Sequence, residues 1–545
     1  MPIVRPHKFL IAMAMAALAG CGSEHDGVAR VAVIGDAPRL VETVEAPLTV
    51  GDALVRANIA QGLVRLDANG QVVPGVAERW NVSDDGLSYI FRLQTGEWPD
   101  GRKIKADEIA KILGRQLRPN SKNPLKDTLG AVDQVVAMTD RVIEIRLLAP
   151  RPYLLQLLAQ PEFGLVRASV GIGPFHFPRS DEPPPPDDAD AKSLGPSLFI
   201  THRISVPDAK DPVERVRLYG GNAAALVAAF ADGRLELLLG GTVADLPLAL
   251  SAKVPRGALR FDPAAGLFGL IPTARNKVLK DRDLRSLLSR AIDRQALIAA
   301  LRVDGLTPRA TLLQPGLEAV GQPAQPDWLG APMTDRRPAL IAEANRMFGA
   351  ADRPTLRLAM PAGRGGELMF RRIAADWAVL GIKTERATTP ASADLMWIDD
   401  VSPSASPAWL LRRFRCGIAP ICVEAAEPLL AAARAAPIAP QRAALFMEAA
   451  RMMDDAHLFM PVAAPIRWSL VSGAAPGFAE NPFARHTLVG LSDTKISGDT
   501  PGPGRQTLCP ATRRPKSCVA NCPTSTAIRH RCGAGSRQWS ICSSG

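Results

Sequence analysis

The most informative segment of the chain is VPGVAERWNVSDDGLSYIFRLQTG, residues 73–96. It contains Asp84-Asp85-Gly86, a turn signal between two stretches that suit β-strands. In the second stretch Tyr89, Phe91 and Leu93 fall on one face, because successive side chains of a strand point to opposite sides. The segment therefore predicts a β-hairpin with one buried face.

The sequence around this hairpin alternates between helical and strand patterns. Helical spacing of apolar residues marks four segments: 105–118, 284–292, 369–380 and 440–455. Period-two patterns mark three more: 142–147, 356–360 and 395–398. This order of strands and helices predicts an α/β protein with a largely buried sheet.

The first twenty residues have the layout of a secretory signal peptide. Arg5 and Lys8 precede an apolar run at 9–18, which is too short to cross about 30 Å of hydrocarbon as a helix. Leu18-Ala19-Gly20-Cys21 resembles the bacterial lipoprotein box, which implies a thioether-linked lipid on Cys21 and a membrane anchor. The alternative is an ordinary signal peptide followed by a chance cysteine.

The formal net charge of +11 is concentrated at the two ends of the chain. Arg5 and Lys8 account for two positive charges, and residues 496–545 for a net six, which leaves +3 for the rest. No basic stripe with interleaved aromatic residues occurs, so the sequence argues against a nucleic-acid partner.

Cysteine usage is equally uneven. Besides Cys21, five of the eight cysteines lie after residue 500, and only Cys416 and Cys422 lie in the central part. An oxidising compartment favours a disulfide between these two, the alternative being two small buried thiols. The histidines form no close ligand cluster, so no metal site and no cofactor is expected.

Two segments do not suit regular structure. Residues 180–197, SDEPPPPDDADAKSLGPS, combine four consecutive prolines with acidic residues and predict an exposed insert. Residues 494–545 have no sustained periodicity and are rich in Ser, Pro, Gly, Arg and Cys. We expect this tail to be disordered, or the aberrant product of a frame shift or fusion.

Several motifs together resemble the signature of bacterial solute-binding protein family 5, the oligopeptide-, dipeptide- and nickel-binding proteins of ABC importers. The first group comprises QGLVRLD at 61–67, VPGVAERW at 73–80, DDGLSYIFRLQTG at 84–96, Asp100-Gly101 and Ala106-Asp107-Glu108. The later group comprises GIGPF at 171–175, Arg285 with AIDR at 291–294, and FMPV at 459–462. The resemblance covers about residues 30–493.

The resemblance implies an α/β fold with two hinge-linked lobes, the periplasmic-binding-protein fold of class II in its large type, with an extra subdomain. We expect lobe I over residues 21–255, with the subdomain at about 50–160, and lobe II over 256–460. Residues 461–493 would return to lobe I. The chain would cross between the lobes near 255–270 and near 460.

Candidate ligand-binding residues come from the same resemblance. In the dipeptide-binding relatives an aspartate pairs with the ligand's α-ammonium, which implies this role for Asp399, with Asp400 as the competitor. Trp397, just before them, would form a wall of the cleft. Arg413 or Arg415 would bind a carboxylate as a bidentate fork; a structural arginine is the alternative. The family's Asn-x-x-Tyr-Trp segment is missing, which leaves the ligand open.

The sequence therefore predicts an exported, lipid-anchored, monomeric receptor in the periplasm that binds a peptide or peptide-like solute and delivers it to an ABC importer permease. It predicts no enzyme activity, since neither a nucleophile elbow nor a phosphate-binding loop is found. Three alternatives remain open: a receptor for a metal chelate or a haem-like solute, an exported hydrolase, and a non-functional product damaged at its C-terminus.

Overall fold

The structure, a computed structural model, describes residues 27–180, 182–204, 213–349 and 353–491. The predicted leader, Cys21 and the tail 494–545 lie outside these residues. The strands are β1 Val28–Ile34, β2 Val64–Leu66, β3 Val72–Pro74, β4 Ala77–Val82, β5 Ser88–Leu93, β6 Val132–Thr139, β7 Val142–Leu147, β8 Val166–Arg167, β9 Val170–Gly171, β10 Ser197–Arg203, β11 Val213–Gly221, β12 Leu237–Thr242, β13 Leu259–Phe261, β14 Gly266–Pro272, β15 Thr355–Ala359, β16 Lys383–Arg386, β17 Leu395–Val401, β18 Met460–Pro461 and β19 Arg467–Val471. The helices are α1 Val50–Ile59, α2 Ala106–Leu117, α3 Leu154–Leu158, α4 Ala191–Leu194, α5 Ala223–Ala231, α6 Leu246–Ser251, α7 Arg282–Ala291, α8 Arg294–Leu301, α9 Met333–Phe348, α10 Gly363–Ala378, α11 Pro407–Leu411, α12 Glu427–Ala435 and α13 Ala439–Asp455.

Lobe I is built on a six-stranded sheet with the order β10-β11-β1-β12-β19-β13. The central strand β1 is parallel to β11 and β12, whereas β10, β19 and β13 join as antiparallel strands. In β1 the side chains of Val31, Ala32 and Val33 are fully buried, because both faces of the sheet are covered. This arrangement confirms the predicted α/β class.

Lobe II is built on a five-stranded sheet with the order β16-β15-β17-β14-β18. Strand β14, GLFGLIP, is buried over its whole length. In the neighbouring strand β17, Trp397 packs into one hydrophobic cluster and Ile398 into another, because alternate residues face opposite layers. The sheet thus has an apolar layer on each side.

The extra subdomain contains the predicted hairpin. Strands β4 and β5 pair with β7 and β6 in an antiparallel sheet, and Trp80 lies opposite Phe91. Tyr89, Phe91 and Leu93 are at most 4% exposed, as the alternation predicted. Helix α2, predicted over 105–118, buries Ile109, Ile112 and Leu113 in the same cluster.

Two short connections join the lobes. The chain leaves lobe I after Phe261 and enters lobe II at Gly266; it leaves lobe II after Pro461 and re-enters lobe I at Arg467. The connections run side by side, since the backbone N–H of Asp262 donates to the carbonyl of Arg467 at 3.0 Å. Two adjacent connections of this kind have the geometry of a hinge.

The motif at 291–294 holds lobe II together beside the second connection. Arg294 is 2% exposed, and its guanidinium donates to the carbonyls of Pro461 at 2.7 Å and Ser289 at 2.6 Å. Burial lowers the pKa of Arg294 to about 9. Arg285 similarly donates to the carbonyl of Ala456 at 2.6 Å. These arginines therefore satisfy backbone carbonyls.

The acidic insert is more ordered than its composition suggested. The prediction that residues 180–197 lack regular structure was wrong at Ala191–Leu194, which forms the one-turn helix α4. Asp188 accepts hydrogen bonds from the Tyr219 hydroxyl at 2.7 Å and lies 3.1 Å from the Arg217 guanidinium. These bonds to the lobe I sheet offset the cost of ordering the insert.

No helix among the described residues is long and apolar enough to cross a membrane.

Candidate ligand-binding site

A cavity of about 420 Å³ lies between the two lobes. We call it the interlobe cavity. Lobe I contributes one face of α1, the end of β12 and residues 483–486, and lobe II contributes residues 399–403 with Trp409 and Arg412. The site therefore includes the end of β17, where the sequence placed the ligand-binding residues.

The lobe I wall depends on close packing at the end of β12. The indole Nε1 of Trp468 donates to the carbonyl of Thr242 at 2.8 Å. A Cβ atom added at Gly241 would lie 2.1 Å from the Trp468 ring, so only glycine fits there. The glycine thus allows the indole to lie flat against the strand and to form a wall of the cavity.

Asp399 lies at the cavity, but it already has a partner. Its Oδ1 accepts a hydrogen bond from Nη1 of Arg467 at 2.7 Å, and Nη2 of Arg467 donates to the Asp399 carbonyl at 2.8 Å. The second carboxylate oxygen, Oδ2, has no hydrogen bond to a described residue. Burial raises the pKa of Asp399, while the charge of Arg467 opposes that rise. One oxygen thus remains for a further donor.

Asp400 also lines the cavity and accepts a hydrogen bond from Arg413. Both side chains of this pair are more than a third exposed. Arg413 itself does not line the cavity; its neighbour Arg412 does. The structure therefore places Arg413 as the partner of Asp400 and Arg412 at the cavity.

Trp397 lies away from the cavity. Its ring packs in the core, edge-on to Phe268, with ring centroids 4.8 Å apart. It is two residues before Asp399, on the same side of β17, but deeper in the lobe. The tryptophans that line the cavity are Trp409 and Trp468.

The opposite wall of the cavity carries two more pairs. Glu162 lies 3.0 Å from the Arg485 guanidinium, and Asp262 lies 3.3 Å from Nε2 of His486. In each pair the acidic group is at most 9% exposed. The sequence analysis missed these residues because the partners are separated by more than 200 positions.

Arg412 was missed for a different reason. It belongs to the run Arg412-Arg413-Phe414-Arg415, in which the sequence does not show which guanidinium faces a cavity. In the structure its Nη1 donates to the hydroxyl of Thr128 at 2.6 Å. Its guanidinium also lies over the Trp409 ring, 5.5 Å from the centroid. Among the described residues it has no carboxylate within 4.0 Å.

Cys416 and Cys422 are joined by a disulfide, with their Cα atoms 5.2 Å apart. In the part of the chain that the structure describes, no three His, Cys, Asp or Glu side chains come together in a way that would hold a metal ion.

Comparison with known proteins finds a matching family model. Residues 71–196 match the model of the bacterial extracellular solute-binding proteins, family 5 Middle. This match covers the hairpin segment with which the resemblance began. Over these residues the chain is similar to that family of solute-binding proteins.

Two curated proteins are similar to this chain over most of its length. The chain is 24% identical over 474 residues to the probable di/tripeptide-binding protein 5 of Pseudomonas aeruginosa. The alignment covers 78% of this chain and 88% of that protein. It is 23% identical over 479 residues to heme-binding protein A of Haemophilus influenzae, covering 77% and 84% of the two chains.

The solved structures support the fold. The crystal structure of Haemophilus influenzae OppA in complex with RPPGFSPFR superposes with a TM-score of 0.70 at 15% sequence identity. The superposition covers 86% of this chain and 99% of that one. The two-lobed periplasmic-binding-protein fold is thereby confirmed for this chain.

Proposed function

We propose that this protein is the extracytoplasmic receptor of an ABC importer that captures a peptide or peptide-like solute between its lobes and delivers it to the permease. The observation that carries the proposal is the interlobe cavity, in which acidic and basic groups of both lobes surround one space. A free peptide is a zwitterion, with an ammonium group and a carboxylate that need partners of opposite charge. The cavity offers both.

For the ammonium group we propose Asp399, with Asp400 as the alternative. The free Oδ2 of Asp399 would accept from the ammonium while Oδ1 stays bonded to Arg467. Trp397 would support this geometry from the core, and Arg413 would position Asp400. For a carboxylate of the solute we propose Arg412, whose guanidinium lines the cavity and has no carboxylate partner among the described residues.

Capture would work by closure of the hinge. The two connections at 262–265 and 462–466 allow lobe II to rotate against lobe I. A solute shifts the equilibrium toward the closed state only if it gains contacts there. Asp399 and Arg412 on lobe II, facing Trp468 and Arg485 on lobe I, would supply such contacts to a solute that bridges both lobes.

The relatives narrow the solute class. One of them is named as a di/tripeptide-binding protein and another as a heme-binding protein. The first name and the charges of both signs in the cavity favour a peptide, whereas the second name matches the haem alternative. Export to the periplasm and a lipid anchor on Cys21 complete the proposal; mass spectrometry of the mature protein would detect the acylated cysteine.

The direct test is native mass spectrometry of the purified protein, which reports any solute that co-purifies, followed by calorimetric titration with free-amine peptides. A solute at a hundred times its Kd should stabilise the fold by about 2.7 kcal/mol. A haem or a metal chelate in the spectrum would instead support the alternative receptor, and release of cleaved peptide would reveal a hydrolase.

The role of Asp399 is tested by Asp399→Ala. We expect affinity for a free-amine peptide to fall by about tenfold or more, because a charge-assisted hydrogen bond is lost. Asp107→Ala, at an exposed position of α2, is the matched control and should leave the affinity unchanged. Equal affinity of Asp399→Ala and the native protein would remove Asp399 from the site.

A further inference from the structure

A second cavity, of about 320 Å³, adjoins the interlobe cavity. It lies between the extra subdomain and lobe II, and Trp409 and Arg412 line both cavities. We call it the arginine pocket, because five arginines line it: Arg151, Arg412, Arg415, Arg434 and Arg442. Only two acidic residues, Asp127 and Glu318, line it with them.

Two of the five arginines are neutralised within the protein. Arg442 lies 2.8 Å from Glu318, and Arg415 lies 2.9 Å from Glu427. These pairs hold α12 and α13 in place around the pocket. They leave three guanidinium groups without a carboxylate within 4.0 Å among the described residues.

The three remaining arginines are Arg151, Arg412 and Arg434. Arg151 donates only to backbone carbonyls, those of Pro150 at 2.9 Å and Arg434 at 3.4 Å. Arg412 donates to the hydroxyl of Thr128. The side chain of Arg434 has no hydrogen bond to any residue in the described ranges. Most of their donor capacity is therefore unused.

These cations also repel one another. Burial lowers the pKa of Arg151, and the charges of Arg434 and Arg442 lower it further. The pKa of Arg434 is also lowered, first by burial and then by the charge of Arg415, while the charge of Glu427 opposes the change. Like charges that share a partly buried space disfavour each other's ionised form. An anion bound among them would relieve the repulsion and use the free donors.

We propose that the arginine pocket is a subsite for an acidic side chain of the solute, held by Arg151 and Arg434, with Arg412 shared between this side chain and the carboxylate in the interlobe cavity. The proposal rests on the proposed function, since the backbone of the peptide would lie in the interlobe cavity. Arg412 and Trp409 line both spaces. Planar guanidinium groups suit a carboxylate because each can donate two parallel hydrogen bonds.

The test begins with the full-length mature protein, freed of co-purified solute. It is offered an equimolar pool of alanine-based peptides of two to five residues, each with one glutamate or one glutamine at a matched position. Native mass spectrometry identifies the captured peptides, and calorimetry measures the Kd of each matched pair. We expect glutamate peptides to bind about tenfold more tightly than their glutamine partners.

The variants locate this preference. In Arg434→Gln and in Arg151→Gln we expect the preference to fall to about one, through weaker binding of the glutamate peptide alone. Arg371→Gln, at an exposed position of α10, is the matched control and should keep the native preference. Thermal unfolding of each variant without solute checks that it is folded, so a loss of preference is assigned to the pocket.

The outcomes separate the two proposals. Equal binding of glutamate and glutamine peptides by the native protein would overturn the subsite and leave the peptide receptor standing. Capture of no peptide from the pool would overturn the receptor proposal and the subsite with it.

Discussion

The interlobe cavity and the arginine pocket lie side by side, but their charged side chains differ in whether they have partners of opposite charge. In the interlobe cavity Asp399, Glu162 and Asp262 each have a basic partner within the protein. In the arginine pocket Arg151 and Arg434 have no acidic partner among the described residues. The acidic groups of the first space are already hydrogen-bonded before a solute arrives, whereas arginines of the second have no carboxylate partner in the described part of the chain.

This difference matters for binding because the free energy of placing a charged solute beside paired groups differs from that of placing it beside unpaired ones. A buried ion pair is expensive to break, so a solute entering the interlobe cavity must add bonds to existing pairs. A cluster of like charges is unfavourable by itself, so a solute of opposite charge gains from entering it. The comparison supports the two proposals: a peptide backbone in the first space and an anionic substituent in the second.

The largest expected effect is on the free energy of unfolding, and it tests whether the charges of the interlobe cavity are paired and buried. Arg467→Met leaves the mostly buried carboxylate of Asp399 without its partner, so we expect the free energy of unfolding to fall by about 3–5 kcal/mol. Urea denaturation measures it. Arg92→Met is the control: it removes a partner of Glu78 in a pair whose side chains are both at least 40% exposed. This substitution should lower the free energy of unfolding by at most about 1 kcal/mol. Equal losses would show that the interlobe pair is not effectively buried.

The disulfide lies beside the arginine pocket, which gives a second prediction. The backbone N–H of Cys416 donates to Glu427 at 2.8 Å, and Glu427 is the partner of Arg415. Replacing Cys416 and Cys422 by serine should lower the free energy of unfolding by about 2 kcal/mol, because the cross-linked loop is short. A reductant should lower the Tm of the native protein and leave that of the double variant unchanged. Equal Tm values of the native protein with and without reductant would contradict the disulfide.

A third prediction concerns pH. Burial raises the pKa of Asp399 in the folded protein, so the folded state holds this proton to higher pH than the unfolded chain. As pH rises from the usual aspartate value through the raised pKa, stability falls and then levels off. The affinity for a free-amine peptide rises through the same range, by about tenfold per pH unit at its acidic end. Asp399→Asn should abolish both trends in calorimetry and thermal unfolding; a persisting trend would assign them to another group.

The smallest expected effect sharpens the comparison most directly. Arg434→Gln should raise the free energy of unfolding of the solute-free protein by about 0.5 kcal/mol, since it removes one of several repelling charges. The gain should shrink in high salt, which screens the repulsion. Arg442→Gln, which breaks the pair with Glu318, should destabilise instead. The same sign for both variants in urea denaturation would show that the pocket is balanced.

Much of the fold follows from local patterns in the sequence. The alternation of Tyr89, Phe91 and Leu93 and the apolar spacing of α2, α7, α10 and α13 predicted elements that the structure contains. Such patterns succeed because they report which side of one element is buried. Asp399 was placed at the cavity by the resemblance to family 5.

The remainder of the site depends on partners that are distant in the sequence. Asp399 and Arg467 are 68 positions apart, and Arg151 meets the backbone of Arg434 across 283 positions. No local pattern relates such residues. Trp397 shows a second limit: alternation gives the face on which a side chain lies, but the depth of that residue along its strand is set by where the lobe ends.

The position of Arg467 has a consequence for signalling to the outside of the protein. This arginine bonds to Asp399 of one lobe, belongs to the other lobe by its strand, and accepts through its carbonyl from Asp262 in the first connection. A cationic solute that competes for Asp399 would therefore change the contacts of Arg467, which lies next to both connections between the lobes. In the proposed receptor, a solute bound at Asp399 would thus act on the first connection and on strand β19 together.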